Sequence, residues 1–398
     1  MVTAISGSYF VGYGTGVQVL NETNAGATAP VGTAAPAEVR EQFDLFWEAW
    51  GLVKEEFVNP RAMDPRNMTY GAVIGMLDSL GDAHTTFYSP EQSRISDDDI
   101  RGSFEGIGVQ VETRNRFIMV VAPLPDTPGE KAGLKPGDII FMVDGVKTEG
   151  MTLTEAVNRI RGPRGTTVHL TIVRPPQRDP IEMDIMRAEV VVSSVTSRIL
   201  EDNIAYVRLT GFTGQTTHAM SQQLQKVMAE NPKALVLDLR NNPGGLLETS
   251  IEVTSTFLKK GIVLYEQERE GDPKAFMVRR MPFTVDLPMV VLTNRGSASA
   301  SEIVAGALKD AGRATLVGDR TYGKGSVQNI RQMSDGSTIH LTVAYWLTPN
   351  FTDIEGVGIE PNVKVLVTED DVKNGVDAQL DKAIELIKSG QVAQGAAQ

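Results

Sequence analysis

Val39, Phe43, Phe46, Trp50, Val53 and Phe57 recur at alternating steps of four and three. That spacing lines one face of a helix with large apolar side chains and makes it a seam for another helix. The chain offers one cover itself, a second helical pattern around Val73, Leu77 and Leu80, and a second copy of the chain is the other. Further on, the apolar positions run continuously instead. The stretches 234–239 (Ala-Leu-Val-Leu-Asp-Leu) and 289–294 (Met-Val-Val-Leu-Thr-Asn) are short, unbroken and rich in branched residues, which predicts buried strands. Each opens onto a helical pattern, at 246–258 and 302–308 respectively. Another apolar run at 313–318 predicts a strand returning to the same sheet, and 337–346 alternates like a half-buried strand. Strand, helix and strand in succession predict an α/β domain over 188–370, and 377–387 reads as a final amphipathic helix ahead of a tail.

The chain is 398 residues long, more than one ordinary core, so several domains are expected. The stretch 21–36 is rich in Ala, Thr, Gly and Pro and reads as a flexible linker. Before it, residues 1–20 are moderately apolar but interrupted by Gly7, Gly12, Gly14 and Gly16, without the basic start of a signal peptide. The trailing end of a membrane tether would have this composition. With 38 Lys and Arg against 50 Asp and Glu, the net charge is −12, which argues against nucleic acid as a partner because phosphate binding draws on clustered basic residues. There is no cysteine, so disulfides and thiolate metal sites are excluded.

Candidate chemistry gathers around the two strands. Ser297-Ala-Ser-Ala-Ser-Glu302 falls at the turn between strand 289–294 and the helix after it, and Lys324 follows Ser299 by 25 residues on the glycine-flanked stretch Gly323-Lys-Gly-Ser-Val-Gln328. A serine nucleophile needs a proton acceptor, and the conspicuous one here is a lysine. The stretch 318–324 also has the Gly, four residues, Gly-Lys spacing of a phosphate loop. Gly325 stands where that loop needs a hydroxyl for magnesium, and a strand pattern rather than a helix follows, so nucleotide binding is rejected. Arg240-Asn-Asn-Pro-Gly-Gly245 forms a strand-to-helix corner whose glycines let backbone amides face a cleft, the geometry an oxyanion requires. None of the four histidines, His84, His169, His218 and His340, lies beside the serines in sequence. The residues alone leave Ser297, Ser299 and Ser301 equivalent.

In these three motifs and their order, the chain from about residue 37 onward resembles the carboxy-terminal-processing, or tail-specific, serine peptidases. The resemblance implies Ser299 as nucleophile, Lys324 as general base and Gln328 as its support. It implies the amides of Gly245 and Ala300 as oxyanion donors, and gives Asp310 a supporting role that its place at the far end of the helix makes structural. It further implies a crotonase-like catalytic fold, work in the cell envelope outside the cytoplasm, and a homodimer through the N-terminal helices. The chemistry is coherent: the lysine must be buried to lose its proton near neutral pH, and a neutral glutamine can hold the amine without restoring that proton, so no metal or cofactor is expected.

Phe104-Glu-Gly-Ile-Gly-Val-Gln-Val111, Ala132-Gly-Leu-Lys-Pro-Gly-Asp-Ile-Ile140 and Val143-Asp-Gly-Val146 resemble a PDZ domain of the permuted type found in bacterial proteases. The resemblance implies that Gly106, Ile107, Gly108 and Val109 receive the end of a peptide, with 153–160 as the other wall of the groove. Protein or peptide substrates with apolar C-termini are the implied partners. Arg161, on the rim, is a candidate for reaching across the cleft and regulating it. The expected organisation is an anchor remnant and linker (1–36), an N-terminal helical segment (37–97), a PDZ-like domain (98–187), the catalytic domain (188–370), and a C-terminal helix and tail (371–398). Two rival functions are a crotonase-like enzyme acting on acyl-CoA thioesters and a PDZ scaffold with a dead catalytic site. Against them stand the PDZ-like insertion and the intact serine, lysine, glutamine and glycine set.

Overall fold

The apolar runs Ala234–Asp238 and Met289–Thr293 lie side by side as parallel strands, with every residue of both buried. The computed structural model that shows this describes residues 39–114, 116–177 and 179–393. Around the two strands runs a sheet in the order Val195–Leu200, Ile204–Leu209, Ala234–Asp238, Met289–Thr293, Thr315–Gly318, Val363–Lys364, antiparallel in its first pair and parallel thereafter. Successive side chains leave opposite faces of a strand, so continuous apolar runs demand cover on both sides. On one face Leu235, Leu237, Met289 and Val291 pack with Met220 and Leu224 of the helix Thr216–Met228, Ile251 of Leu247–Ser255, and Val304 and Leu308 of Ala300–Asp310. On the other, Val236, Val290 and Leu292 meet Leu380, Ala383 and Leu386 of the last helix, Ala378–Lys388.

A second sheet is built on the long strand Thr338–Leu347. Ser326–Gln332 pairs along it on one side; on the other, Thr86–Tyr88 pairs near its start and Ile262–Glu268 near its end, followed by Lys274–Met277. Trp346, fully buried, carries this sheet into the main core.

The middle of the chain has a core of its own. Val109–Arg114, Phe117–Pro123, Ile139–Val143, Thr167–Val173 and Pro180–Met186 form an antiparallel sheet whose Ile118, Ile140, Leu170 and Ile172 pack with Ala156 and Ile160 of the helix Leu153–Ile160. A two-stranded ribbon, Ser103–Gly106 against Ala188–Val191, joins it to the part of the chain that holds the first two sheets. The helix Pro90–Arg101 runs through position 98, so the chain enters this unit after Gly102 rather than within the helix.

At the N-terminal side, Arg40–Glu56 is helical and buries none of its residues. Phe43, Phe46, Trp47 and Trp50 meet one another edge to face or tilted, while Phe43 and Phe57 stay nearly half exposed. The second helix, Pro65–Asp78, turns Leu77 inward and sets Tyr70 against Phe87 of the second sheet; its Met68 lines an apolar hollow with Phe46, Trp50 and Val53, so the first helix's seam is only partly covered. Residues 1–38 and 394–398, where the anchor remnant, the linker and the end of the tail were expected, lie outside the described residues.

Candidate active site

The three serines that look alike in sequence are separated by what their hydroxyls touch. Ser297 Oγ donates to the Leu239 carbonyl at 2.8 Å and accepts the Asn294 N–H at 3.0 Å. Ser301 Oγ donates to the Asn242 carbonyl at 2.9 Å. Ser299 Oγ is buried and has no hydrogen-bond partner among the described residues. Ser297 and Ser301 thus pin the turn to the 239–242 segment, and Ser299 is left over. Its backbone sits at φ 54°, ψ −116°, where a residue with a side chain is strained by roughly 1–3 kcal/mol and persists only if its surroundings impose it. What imposes it is the turn's anchoring on both sides: Ala298 N–H donates to Asn242 O at 3.0 Å and Ser299 N–H to Glu302 Oε2 at 2.8 Å.

The Asn242 to Gly245 corner lies against this turn. Asn242 holds it by donating from its amide to Leu209 O and accepting the Gly244 N–H, both at 2.9 Å. A Cβ on Gly244 (φ 104°) would stand 2.8 Å from Ser299 Cβ and 3.0 Å from Ala300 N, so only glycine permits the approach. The neighbouring bonds Phe212 N–H to Gly244 O (2.9 Å) and Leu246 N–H to Phe212 O (2.7 Å) bypass the Gly245 N–H. Neither that amide nor the N–H of Ala300, the first residue of its helix, donates to any described residue. Two amide donors beside an unpartnered hydroxyl suit an oxygen that gains negative charge.

Lys324 arrives on the loop after Thr315–Gly318. Its side chain is 6 % exposed, and Nζ donates to Gln328 Oε1 at 3.3 Å. Burial drives its pKa down to about 8, against the pull of the carboxylates of Glu355, Asp82 and Glu302, which favour the ammonium. Glu302, fully buried, ties the loop to the serine turn. Oε1 accepts from Thr321 Oγ (2.5 Å) and Gly323 N–H (2.7 Å), and Oε2 accepts from Lys324 N–H at 2.8 Å as well as from Ser299 N–H. Burial pushes this carboxyl above its ordinary value, and the four donors act in the opposite sense. Because one oxygen receives both amides, the backbones of Ser299 and Lys324 lie within two hydrogen-bond lengths of each other.

Around the lysine, Gln328 turns its amide nitrogen to the His84 carbonyl. His84 Nε2 lies 3.7 Å from Glu355, and burial followed by the charge of Lys324 lowers its pKa. His340 is buried, its Nδ1 without a hydrogen-bond partner among the described residues and its pKa pushed to about 4 by burial and then by Lys324. His169 is exposed between Asp184 and Glu182. Asp310 ends the serine helix and accepts the Asn350 N–H at 2.9 Å.

The expected peptide-end residues lie in the separate middle unit. Ile107 is buried in its core, Gly108 (φ 72°) has no room for a Cβ beside Thr127, and Val109 begins the strand Val109–Arg114, which is an edge of its sheet and runs beside the helix Leu153–Ile160. Arg161, at the end of that helix, is half-buried: it faces Asp98 at 3.4 Å and Asp99 at 3.8 Å and lies over the Phe104 ring at 4.4 Å. Sequence reasoning passed over Glu302, Gly244 and the 82–85 segment. For Glu302 a signal existed, the Ser-x-x-Glu spacing of a helix start. Among the described residues no group of three or more His, Asp or Glu is arranged to hold a metal ion.

A profile described as Peptidase family S41 matches residues 203–365, and one described as PDZ domain matches 119–174. The carboxy-terminal-processing protease of Bartonella bacilliformis is 38 % identical over 348 residues, covering 86 % of this chain and 79 % of that protein. The carboxy-terminal processing protease CtpA of Bacillus subtilis is 37 % identical over 339 residues, 85 % of this chain and 72 % of the relative. A solved structure from Bacteroides fragilis assigned to S41 superposes with a TM-score of 0.51 over 85 % of this chain and 96 % of the other, at 16 % identity, a likeness of fold.

Proposed function

Because the chain belongs to the carboxy-terminal-processing proteases of peptidase family S41, serine-type peptidases that carry a PDZ domain, we propose that it cleaves protein substrates near their C-termini with Ser299 and Lys324 as a dyad. The observation that carries the reading is the Ser299 hydroxyl: buried, unpartnered, on a strained turn, and bound through Glu302 to the loop of a lysine whose pKa is about 8. Neutral Lys324 accepts the Oγ proton as Oγ attacks the peptide carbonyl carbon. The carbonyl oxygen becomes an oxyanion and accepts from Gly245 and Ala300. Collapse breaks the C–N bond, the lysine proton leaves with the amine, and water hydrolyses the acyl-enzyme by the same steps reversed. Gln328 Oε1 holds one N–H of the amine, keeping its lone pair available to serine.

The PDZ unit supplies the tail specificity in this reading. An edge strand beside a helix, closed at one end by the 106–109 turn, accepts an extended peptide as an added strand and its carboxylate at the turn. We read the parallel sheet with its helix layer as a crotonase-like core, and the half-exposed seam of Arg40–Glu56 as the contact of a homodimer. No described helix is long and apolar enough to cross a membrane. An extracytoplasmic place in the cell envelope rests on the family resemblance and is tested by fractionation.

The decisive experiment is labelling with a fluorophosphonate together with peptide cleavage. Ser299→Ala loses both, and Ser297→Ala and Ser301→Ala, which remove pins rather than the free hydroxyl, keep labelling at a reduced rate. A Ser299→Ala variant that still cleaves overturns the assignment.

A further inference from the structure

The Gln328 carboxamide has two chemically opposite ends, and the reaction tolerates only one of them toward Lys324. Its oxygen accepts an N–H from the neutral amine and leaves the nitrogen lone pair free. Its NH2 group, turned the other way, would donate into that lone pair and occupy what the serine proton needs. The two ends are nearly equal in size, so packing alone does not choose between them. The choice is made by the other neighbour of the amide, the His84 carbonyl, which can only accept and therefore takes the NH2 end.

That carbonyl belongs to the segment 82–86, some 240 residues earlier in the chain than Gln328. Two side chains shape it. Asp82 Oδ1 accepts the His84 N–H at 3.0 Å and Asp82 Oδ2 accepts from Thr85 Oγ at 2.7 Å, closing a tight turn. Thr85 Oγ in turn accepts the Thr342 N–H at 3.1 Å. Thr342 is the residue directly opposite Gln328 on the paired strand, so the turn is fastened to the sheet next to the amide it orients. Thr85 is buried, and Thr86 then pairs with His340, which continues the attachment as a strand.

We infer that Asp82 and Thr85 are positioning residues: through the His84 carbonyl they fix which end of the Gln328 amide faces Lys324. The inference rests on the Ser299 and Lys324 reading. It also gives the histidine segment a part in the reaction that involves no imidazole chemistry.

Thr85→Val is the sharpest test, because it removes both hydrogen bonds without changing any charge. That matters since Asp82, Glu302, Glu355, His84 and His340 all face Lys324 electrostatically. Peptide cleavage by the full chain is followed from pH 6 to 10. In Thr85→Val, kcat on the high-pH plateau falls about tenfold while KM stays within about twofold, since the loss lies in the reacting geometry. Thr85→Ser, which keeps the hydroxyl, recovers to within about threefold. In a Gln328→Ala background, where no amide remains to orient, Thr85→Val changes kcat less than about twofold.

A plateau equal to wild type in Thr85→Val overturns the inference, and so does a further tenfold loss in the Gln328→Ala background, which would reveal general damage. Should Thr85→Val fail to fold, Asp82→Asn decides. Loss of its charge alone would lower the pKa of Lys324 and preserve the plateau, whereas loss of positioning lowers the plateau itself. Lys324→Ala separates the two readings: if it cleaves normally the dyad fails, and if it is inactive while Thr85→Val is fully active, only the positioning inference fails.

Discussion

Lys324 is costly to the fold in the form that the proposed reaction cannot use. Its pKa is held near 8 by burial, so at pH 7 most molecules carry a buried ammonium, and cleavage should rise with pH through a midpoint near 8 to a plateau. Lys324→Arg should be inactive at every pH, because guanidinium does not deprotonate in this range. A flat pH profile in the wild type would contradict the lysine base. The same shift makes a stability prediction. The unfolded chain binds a proton at this site up to about pH 10.5 and the folded chain only up to about 8, so between those values stability rises with pH, and below 8 the whole cost is present. Lys324→Met should therefore be more stable than wild type at pH 7 by on the order of 1–3 kcal/mol, with the gain shrinking toward pH 10. Chemical denaturation at pH 7 and pH 10 measures it, and equal or lower stability at pH 7 would refute the burial argument. The lysine was legible from its motif. Which of the three hydroxyls is left unpartnered was not legible from the residues alone, since Ser297 and Ser301 are distinguished from Ser299 only by carbonyls of Leu239 and Asn242 some 60 residues away.

At the scale of elements, the site depends on how closely two strand ends approach. The corner at Gly244 and the turn at Ser299 follow the neighbouring strands Ala234–Asp238 and Met289–Thr293, and the separation of those strands sets the room between them. Gly244→Ala would drive a methyl against Ala298 O at 2.8 Å as well as Ser299 Cβ, neither of which can swing aside. Its kcat should fall by at least about a hundredfold, the size of losing an oxyanion donor. Gly312 also has positive φ but open space around its Cβ, so Gly312→Ala should cost about 1 kcal/mol in strain and leave kcat unchanged. If both variants retain activity alike, close approach is not what Gly244 provides. The strands themselves were legible because a sheet buried on both faces writes continuous apolar runs into the chain. The helix Arg40–Glu56 was legible as a helix for its periodicity, yet periodicity states only that a face wants cover. It could not say that Pro65–Asp78 would turn to the second sheet instead. The partners of Arg161 were not legible for a similar reason, since Asp98, Asp99 and Phe104 lie about 60 residues back.

Across the whole molecule, the PDZ unit has its own core and is joined to the catalytic sheets through a two-stranded ribbon, so its orientation can bear on the site without sharing residues with it. The helix Pro90–Arg101 strengthens that link, because it follows the strand Thr86–Tyr88 of the second sheet and meets Arg161 of the PDZ helix through Asp98 and Asp99. A ligand changes such an arrangement only by its differential affinity for two orientations, and a tenfold effect on rate corresponds to about 1.4 kcal/mol. In the proposed reading, the ligand that would do so is a peptide tail joining the Val109–Arg114 edge with its carboxylate at the 106–109 turn. We therefore expect one substrate with a free apolar C-terminus to be cut about tenfold faster than its amidated form, which lacks the charge the turn would bind. The same substrate ending in two aspartates should be slower still, since carboxylates would have to enter the partly buried apolar positions around Val109, Val111 and Leu153 in a chain of net charge −12. Gly108→Asp closes the turn, because any Cβ there meets Thr127 at 2.4 Å, and it should make the three substrates alike at the slow rate. Binding of the free-ended peptide to intact Ser299→Ala protein supplies the control, for it should be lost on adding Gly108→Asp. Equal rates for all three tails in the unsubstituted protein, with tight binding of the amidated peptide, would show that the PDZ unit does not read C-termini.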